Sequence, residues 1–347
     1  MIYQEVIKGS HTTYIASDFV KAPVSANKSY PLVICNIPKD LLQAVKNVVV
    51  DLYGDKKQIT VGVDNKEEDI SILDIKDGSY DYFILGSEEI MEIQRFDFLD
   101  LYKIMRRLRA DDGCEWDKVQ THESIRINLI EEAYELVDAI DNKDNAGMLE
   151  ECGDVLLQGV FHAAIAEDNK EFTVNDMLTG LCRKLVDRHT HIFGKNHANN
   201  ADEALFFWQE AKKKEKKYKS SSDAMSRVPN NFPALLYAEK IQKIAKKAGF
   251  DWKEVEPAGQ KVIEELNEVL EADKEHKVEE CGDLLFAAVN VCRLSKVEPE
   301  MALKEANKKF ERRFNAVEKL ANERNIQMTP DNLEQLDALW DEVKSKE

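Results

Sequence analysis

Two stretches of this 347-residue chain carry carboxylates at a spacing that could hold a cation. The first is Glu131, Glu132 and Glu135, followed by Glu151 and Asp154; the second is Glu264, Glu265 and Glu268, followed by Glu280 and Asp283. Residues three and four apart share one face of a helix. At about 100° per residue, Glu132 falls between Leu136 and Ala139, and Glu135 lies at the edge of the same stripe. Asp154 has Phe161 and Ile165 about 20° to either side, with Glu151 in the same sector. A carboxylate on an apolar stripe is costly unless it is paired or metal-bound. Packing two such helices together converges Glu132, Glu135, Glu151 and Asp154, and in the second stretch Glu265, Glu268, Glu280 and Asp283. Four carboxylates at one place repel each other, and a hard cation such as Mg²⁺ or Mn²⁺ resolves that repulsion. A cation held this way suits polyphosphate chemistry, because it neutralises charge and activates water.

A lone E-E-x-x-E is usually a solvated, salt-bridging face. Here it is followed by E-x-x-D on an apolar face, and the whole arrangement occurs twice, which favours the metal site. Lys184 and Arg188 form an i, i+4 cation pair, as do Lys309 and Arg313. Beside a carboxylate–metal cluster they become triphosphate clamps. Trp208 and Trp340 follow and offer either packing or a stacking surface for a base. His189 and His191 have H-x-H spacing but no third ligand at a suitable distance along the chain, so a structural or phosphate-facing turn is expected. Cys152 and Cys281, each following a Glu, are expected to be small buried packing residues. A di-iron or di-manganese bundle would need E-x-x-H motifs, which neither stretch contains.

The elements that must position these residues form an internal repeat. LIEEAYELVDAI at 129–140 echoes VIEELNEVLEAD at 262–273, and EECGD at 150–154 recurs at 279–283. Two homologous helical units are therefore expected, at 97–219 and 229–347, separated by a linker at 220–228 within a basic, Ser-containing stretch. Residues 1–96 read differently. PLVICNI, QITVGV and YDYFIL are short β-type runs, DLLQAVKNVVVDLYG has the spacing of one amphipathic helix, and Gly54 marks a turn. The fold class expected is mainly α: two tandem helical bundles preceded by a small α+β region.

Composition narrows the function. Lys plus Arg is 48 and Asp plus Glu is 66, a net charge of −18 that disfavours general nucleic-acid binding. The 43% hydrophobic content supports packed cores, and the run of about 18 apolar residues that a membrane span needs is not seen. None of the six cysteines forms a C-x-x-C pair, and the N-terminus lacks the pattern of a signal peptide. Reduced thiols and a cytoplasmic location are expected.

CEWDKVQTHESIRINLIEEAYELVDAI with LEECGDVLLQGVFHAAIAED resembles the first domain of the MazG nucleoside triphosphate pyrophosphohydrolases. VIEELNEVLEAD, EECGDLLFAAVNVCR and ANKKFERRFNAVEKL resemble the second. The resemblance covers residues 97–347. It implies an all-α fold, usually a homodimer, and hydrolysis of a nucleoside triphosphate to the monophosphate and pyrophosphate. It implies Mg²⁺, with Mn²⁺ as a substitute, held by Glu132, Glu135, Glu151 and Asp154, and by Glu265, Glu268, Glu280 and Asp283. Glu131 and Glu264 would be nearby acidic helpers. Lys309, Arg313 and Trp340 match the family's nucleotide-recognition positions, so the second unit is expected to be active, while the carboxylates of the first are also in place. The alternative is a non-catalytic nucleotide-binding regulator or scaffold. Residues 1–96, through IPKDLLQAVKNVVVDLYG and QITVGVDN, resemble the C-terminal half of a tetrapyrrole methylase domain, and no methylase activity is expected of them.

Overall fold

The structure is a computed structural model and describes residues 2–21, 27–216 and 218–346. Lys217, in the basic stretch, and residues 22–26, in the α+β region, lie outside the described residues. The chain divides into two compact units, Met1–Val186 and Asp187–Glu347. It is mainly helical, as the long apolar periods predict.

The first unit opens with α1 (Ile2–Val6), β1 (Thr12–Ile15), α2 (Ala16–Lys21), β2 (Leu32–Ile37), α3 (Lys39–Tyr53), β3 (Gln58–Val63), β4 (Lys66–Ser71) and β5 (Tyr80–Leu85). The strands form one sheet in the order β1-β2-β5-β3-β4, parallel at β1–β2 and antiparallel elsewhere. The three β-type runs and the helix expected from sequence are β2, β3, β5 and α3. Leu42, Val45, Val49 and Tyr53 of α3 recur every three or four residues and are buried in a core with Ile34, Val61 and Phe83. The helix stops at Gly54, whose φ of +89° favours glycine. β4 is not among the three β-type runs of the sequence. It is a strand because Asp64 and Asn65, both at positive φ, make the tight turn that folds it back onto β3. Its Glu67, Glu68 and Asp69 suit a sheet edge.

Helices α4 (Phe98–Leu108), α5 (His122–Asn142), α6 (Asn145–Asp168) and α7 (Val174–Arg188) follow. The α+β region is tied to α4 by a buried ammonium. Lys28 Nζ lies 2.9 Å from Asp100, 3.6 Å from Asp97 and 2.6 Å from the Arg95 carbonyl. Asp97 also caps α4, accepting the backbone N–H groups of Leu99 and Asp100. α5 and α6 form a hairpin. Lys143, in the left-handed region, ends α5, and the Asp144 side chain accepts the Ala146 and Gly147 N–H groups to start α6. Met105 of α4 packs with Ile125, Val160, Phe161 and Ile165 to close this core.

The second unit contains α8 (Thr190–Phe193), α9 (Ala201–Lys216), α10 (Ser221–Ser226), α11 (Ala234–Lys247), α12 (Val255–Glu271), α13 (Lys277–Leu294), α14 (Pro299–Glu323) and α15 (Leu333–Ser345). The basic stretch is largely helical: α9 runs through its first lysines, and Ser220 caps α10 by accepting the Asp223 N–H. Lysine is a good helix former, so the charge run does not interrupt the helix. α12 and α13 repeat the α5–α6 hairpin. Val317 and Ala321 of α14 pack on Leu339 and Val343 of α15.

Candidate functional site

Each hairpin gathers three carboxylates. In the first, one oxygen from each of Glu132, Glu151 and Asp154 lies within 4.8 Å of the others. In the second, Glu265, Glu268 and Glu280 do the same. The expected fourth members stand differently. Glu135 lies outside the closest trio, yet its charge acts on both Glu132 and Glu151. Asp283 is exposed and outside the second trio, whereas Asp154, at the same place in the repeat, belongs to the first.

The electrostatics of the two clusters differ. Burial, reinforced by Asp154, Glu135 and Glu131, holds Glu132 above the usual carboxylate range. Burial and then Glu135, Glu132 and their neighbours do the same for Glu151. In the second cluster Lys261 bonds to Glu265 at 2.7 Å and to Glu264 at 2.9 Å. The ammonium pulls Glu265 below the usual range, and the hydrogen bond from Glu268 to Glu265 pushes Glu268 above it. Glu131 is exposed, and Glu264 is an exposed partner of Lys261 outside the trio. Sequence reasoning missed Lys261, although its signal was present: a lysine three and four residues before two glutamates on one helix. The repeat places Asn128 at the same position in the first hairpin.

A divalent cation fits both donor sets. Carboxylate oxygens are the ligands that Mg²⁺ and Mn²⁺ take. One oxygen of Glu151 and one of Glu265 are buried without a hydrogen-bond partner. Such orphaned oxygens are costly, and a cation would satisfy them.

The expected cations and aromatics pair within each repeat. Arg188 stacks over Trp208 at 5.4 Å and forms a two-pronged bond to Glu215 at 2.7 and 3.0 Å. Arg313 lies 5.9 Å over Trp340, which also tilts against Phe310 at 5.4 Å and packs on the core of α14 and α15. Lys184 and Lys309 are exposed on α7 and α14. His189 and His191 flank the start of α8, with rings 5.7 Å apart, and His191 stacks on Phe207; among the described residues no third ligand joins them. Cys152 and Cys281 are exposed rather than buried. The position after each glutamate is turned about 100° around the helix, away from the hairpin contact.

Comparison with known proteins agrees with this arrangement. Residues 120–193 match the MazG nucleotide pyrophosphohydrolase domain. The chain is 44% identical over 248 residues to the nucleoside triphosphate pyrophosphohydrolase/pyrophosphatase MazG of Thermotoga maritima, covering 71% of this chain and 95% of the relative. It is 41% identical over 254 residues to the nucleoside triphosphate pyrophosphohydrolase of Escherichia coli, covering 71% and 97%. It is 45% identical over 256 residues to the uncharacterized protein YabN of Bacillus subtilis, covering 72% of this chain and 52% of that one. With nearly the full length of two such relatives matched, and with both carboxylate hairpins formed, the chain belongs to the MazG family of nucleoside triphosphate pyrophosphohydrolases.

Proposed function

We propose that the two carboxylate hairpins are Mg²⁺ sites, and that the one on α12–α13 carries the main activity. The chain hydrolyses nucleoside triphosphates to the nucleoside monophosphate and pyrophosphate. The observation that supports the sites most directly is the convergence of Glu265, Glu268 and Glu280 around a buried, unpartnered Glu265 oxygen. Mg²⁺ bound there would neutralise the polyphosphate and activate water. Glu265, Glu268 and Glu280 would hold it, with Asp283 joining when the ion draws the set together. Glu268, as a carboxylate beside the ion, would accept the proton of the attacking water. Lys309 and Arg313 would bind the phosphates and oppose the negative charge that grows on them. The ring of Trp340, steadied by Phe310 and Arg313, offers a face to the base. In the first unit Glu132, Glu135, Glu151 and Asp154 would hold a second Mg²⁺, with the exposed Lys184 available to the phosphates.

A homodimer belongs to the same proposal. Ile263, Leu266, Leu270, Val278 and Leu285 of the second hairpin are exposed, and a second copy would cover them; sedimentation equilibrium distinguishes one chain from two. The deciding experiment for function is pyrophosphate release from a panel of ribo- and deoxyribonucleoside triphosphates, with and without Mg²⁺. Metal-dependent release with an equal amount of monophosphate is expected. Tight nucleotide binding without product, in metal-loaded protein, would replace the enzyme with a regulator or scaffold.

A further inference from the structure

The helices that form the first carboxylate cluster are also joined at the open end of their hairpin. His122, the first residue of α5, and His162 of α6 bring their Nδ1 atoms to 2.8 Å, with the rings stacked 5.1 Å apart and 10° from parallel. Such a contact is a hydrogen bond only when one nitrogen carries a proton and the other a lone pair. Glu171, just beyond α6, lies 3.6 Å from His122 Nε2 and favours the proton there. His122 Nδ1 is then the acceptor and His162 Nδ1–H the donor. Burial, and then the neighbouring His122, hold the His162 imidazole below the usual histidine range.

The repeat supplies an internal control. The matching residues of the second hairpin are Val255, the first residue of α12, and Val291 of α13. Both are half-buried. One sequence plan therefore places a titratable pair at these positions in the first hairpin and two aliphatic residues at the matching positions in the second.

We propose that His122 and His162 form a proton-sensitive clamp that closes α5 on α6 and so positions Glu132 against Glu151 and Asp154, in the first unit only. Neutral, the pair shares one hydrogen bond. Doubly protonated, it presents two N–H groups and two positive charges to each other, and the hairpin opens at this end. The charged groups around it are Glu171 beyond α6, Glu123 and Arg126 on α5, and the set where α4 meets α6. In that set Arg106 and Arg109 each bond Asp168 at 2.7 Å, and Glu167 takes the Tyr102 hydroxyl. These arginines are neutralised by their own partners, which leaves Glu171 as the group that tunes the pair. The positioning role rests on the first cluster holding a cation.

Amide hydrogen exchange of the full chain at about pH 7.5 and about pH 5.5, expressed as protection factors, tests the clamp. Protection at the start of α5 and the facing turns of α6 should fall about tenfold more on acidification than at the same places in α12 and α13, the size of one lost hydrogen bond. His122→Val with His162→Val, the residues the second hairpin already uses, should remove that extra response. His162→Gln, which keeps a donor but cannot titrate, should retain protection and lose the acid response. Equal responses in the two wild-type hairpins, or a response that survives in the double variant, would overturn the proposal. Mn²⁺ titration of a chain carrying Glu265→Gln, Glu268→Gln and Glu280→Gln reads the first cluster alone. Binding should weaken on acidification, and weaken less in the double Val variant. No Mn²⁺ binding with the exchange difference intact would remove the metal reading of the first cluster and leave the clamp standing.

Discussion

The hairpins α5–α6 and α12–α13 place glutamates at the same positions, yet they solve the problem of crowded carboxylates in opposite ways. In the first, Glu132, Glu151 and Asp154 face each other, and the residue one turn before Glu132 is the uncharged Asn128. Burial and mutual repulsion raise the proton affinity of Glu132 and Glu151. In the second, Lys261 stands in Asn128's place and bonds Glu265, leaving the excess proton affinity on Glu268. A cation entering the first cluster would meet carboxylates that repel one another, and would relieve them. A cation entering the second would meet a resident ammonium on Glu265. Conserving a ligand pattern across a repeat therefore does not conserve its electrostatics; one residue a helical turn away decides whether a cluster holds its own counter-charge.

The broadest test of this comparison is to disable each cluster in turn. Glu265→Gln with Glu280→Gln should lower pyrophosphate release at least about 100-fold, while Glu132→Gln with Glu151→Gln should lower it no more than about twofold. Circular dichroism of both variants would check that the fold survives. The reverse ranking would move the main site to the first unit.

Exchanging the residue that separates the clusters should have a smaller effect. Asn128→Lys should weaken Mn²⁺ binding at the first cluster about tenfold, the scale of one partly solvated charge contact, and Lys261→Asn should strengthen it at the second by a similar factor. Isothermal titration against both variants reads the two changes, and unchanged affinities would show that the lysine plays no part in metal binding.

The smallest effect lies in the pH dependence of the metal-free protein. Glu132 and Glu151 bind protons more tightly when folded. They therefore favour the folded state as pH falls from neutrality toward their raised values, and that gain is lost as pH rises through them. Glu265, lowered by Lys261, works in the opposite sense. Its contribution is present above the ordinary glutamate value and is lost as pH falls through the folded value. Carbon-detected NMR of the side-chain carboxyls should find Glu132 and Glu151 above the usual range and Glu265 below it. Mg²⁺ should bring the first two down.

Much of this was legible before the fold was known. The carboxylates announce themselves because E-E-x-x-E and E-x-x-D can share a face only at helical spacing, and because the pattern repeats. β2, β3, β5 and α3 follow from apolar runs. β4 did not, since its Lys-Glu-Glu-Asp composition argues against a strand until the turn at Asp64–Asn65 pairs it with β3. The exposure of Cys152 and Cys281 was also hidden, because residue type favours burial while helix rotation decides it. The histidine pair was invisible, for His122 and His162 are 40 residues apart and meet only when α5 and α6 fold back on each other.

By itself, the sequence determined the helical plan, the tandem repeat and which carboxylates are candidate ligands, because helix periodicity and ligand chemistry are local properties. Tertiary structure alone decided which oxygens converge, leaving Glu135 and Asp283 outside the closest trios. It decided that Arg188 is engaged by Glu215, and that two histidines close one hairpin while two valines stand at the matching places in the other. Distances between helices, and the burial that shifts a carboxylate's proton affinity, arise only from packing, and packing depends on residues far apart in the chain.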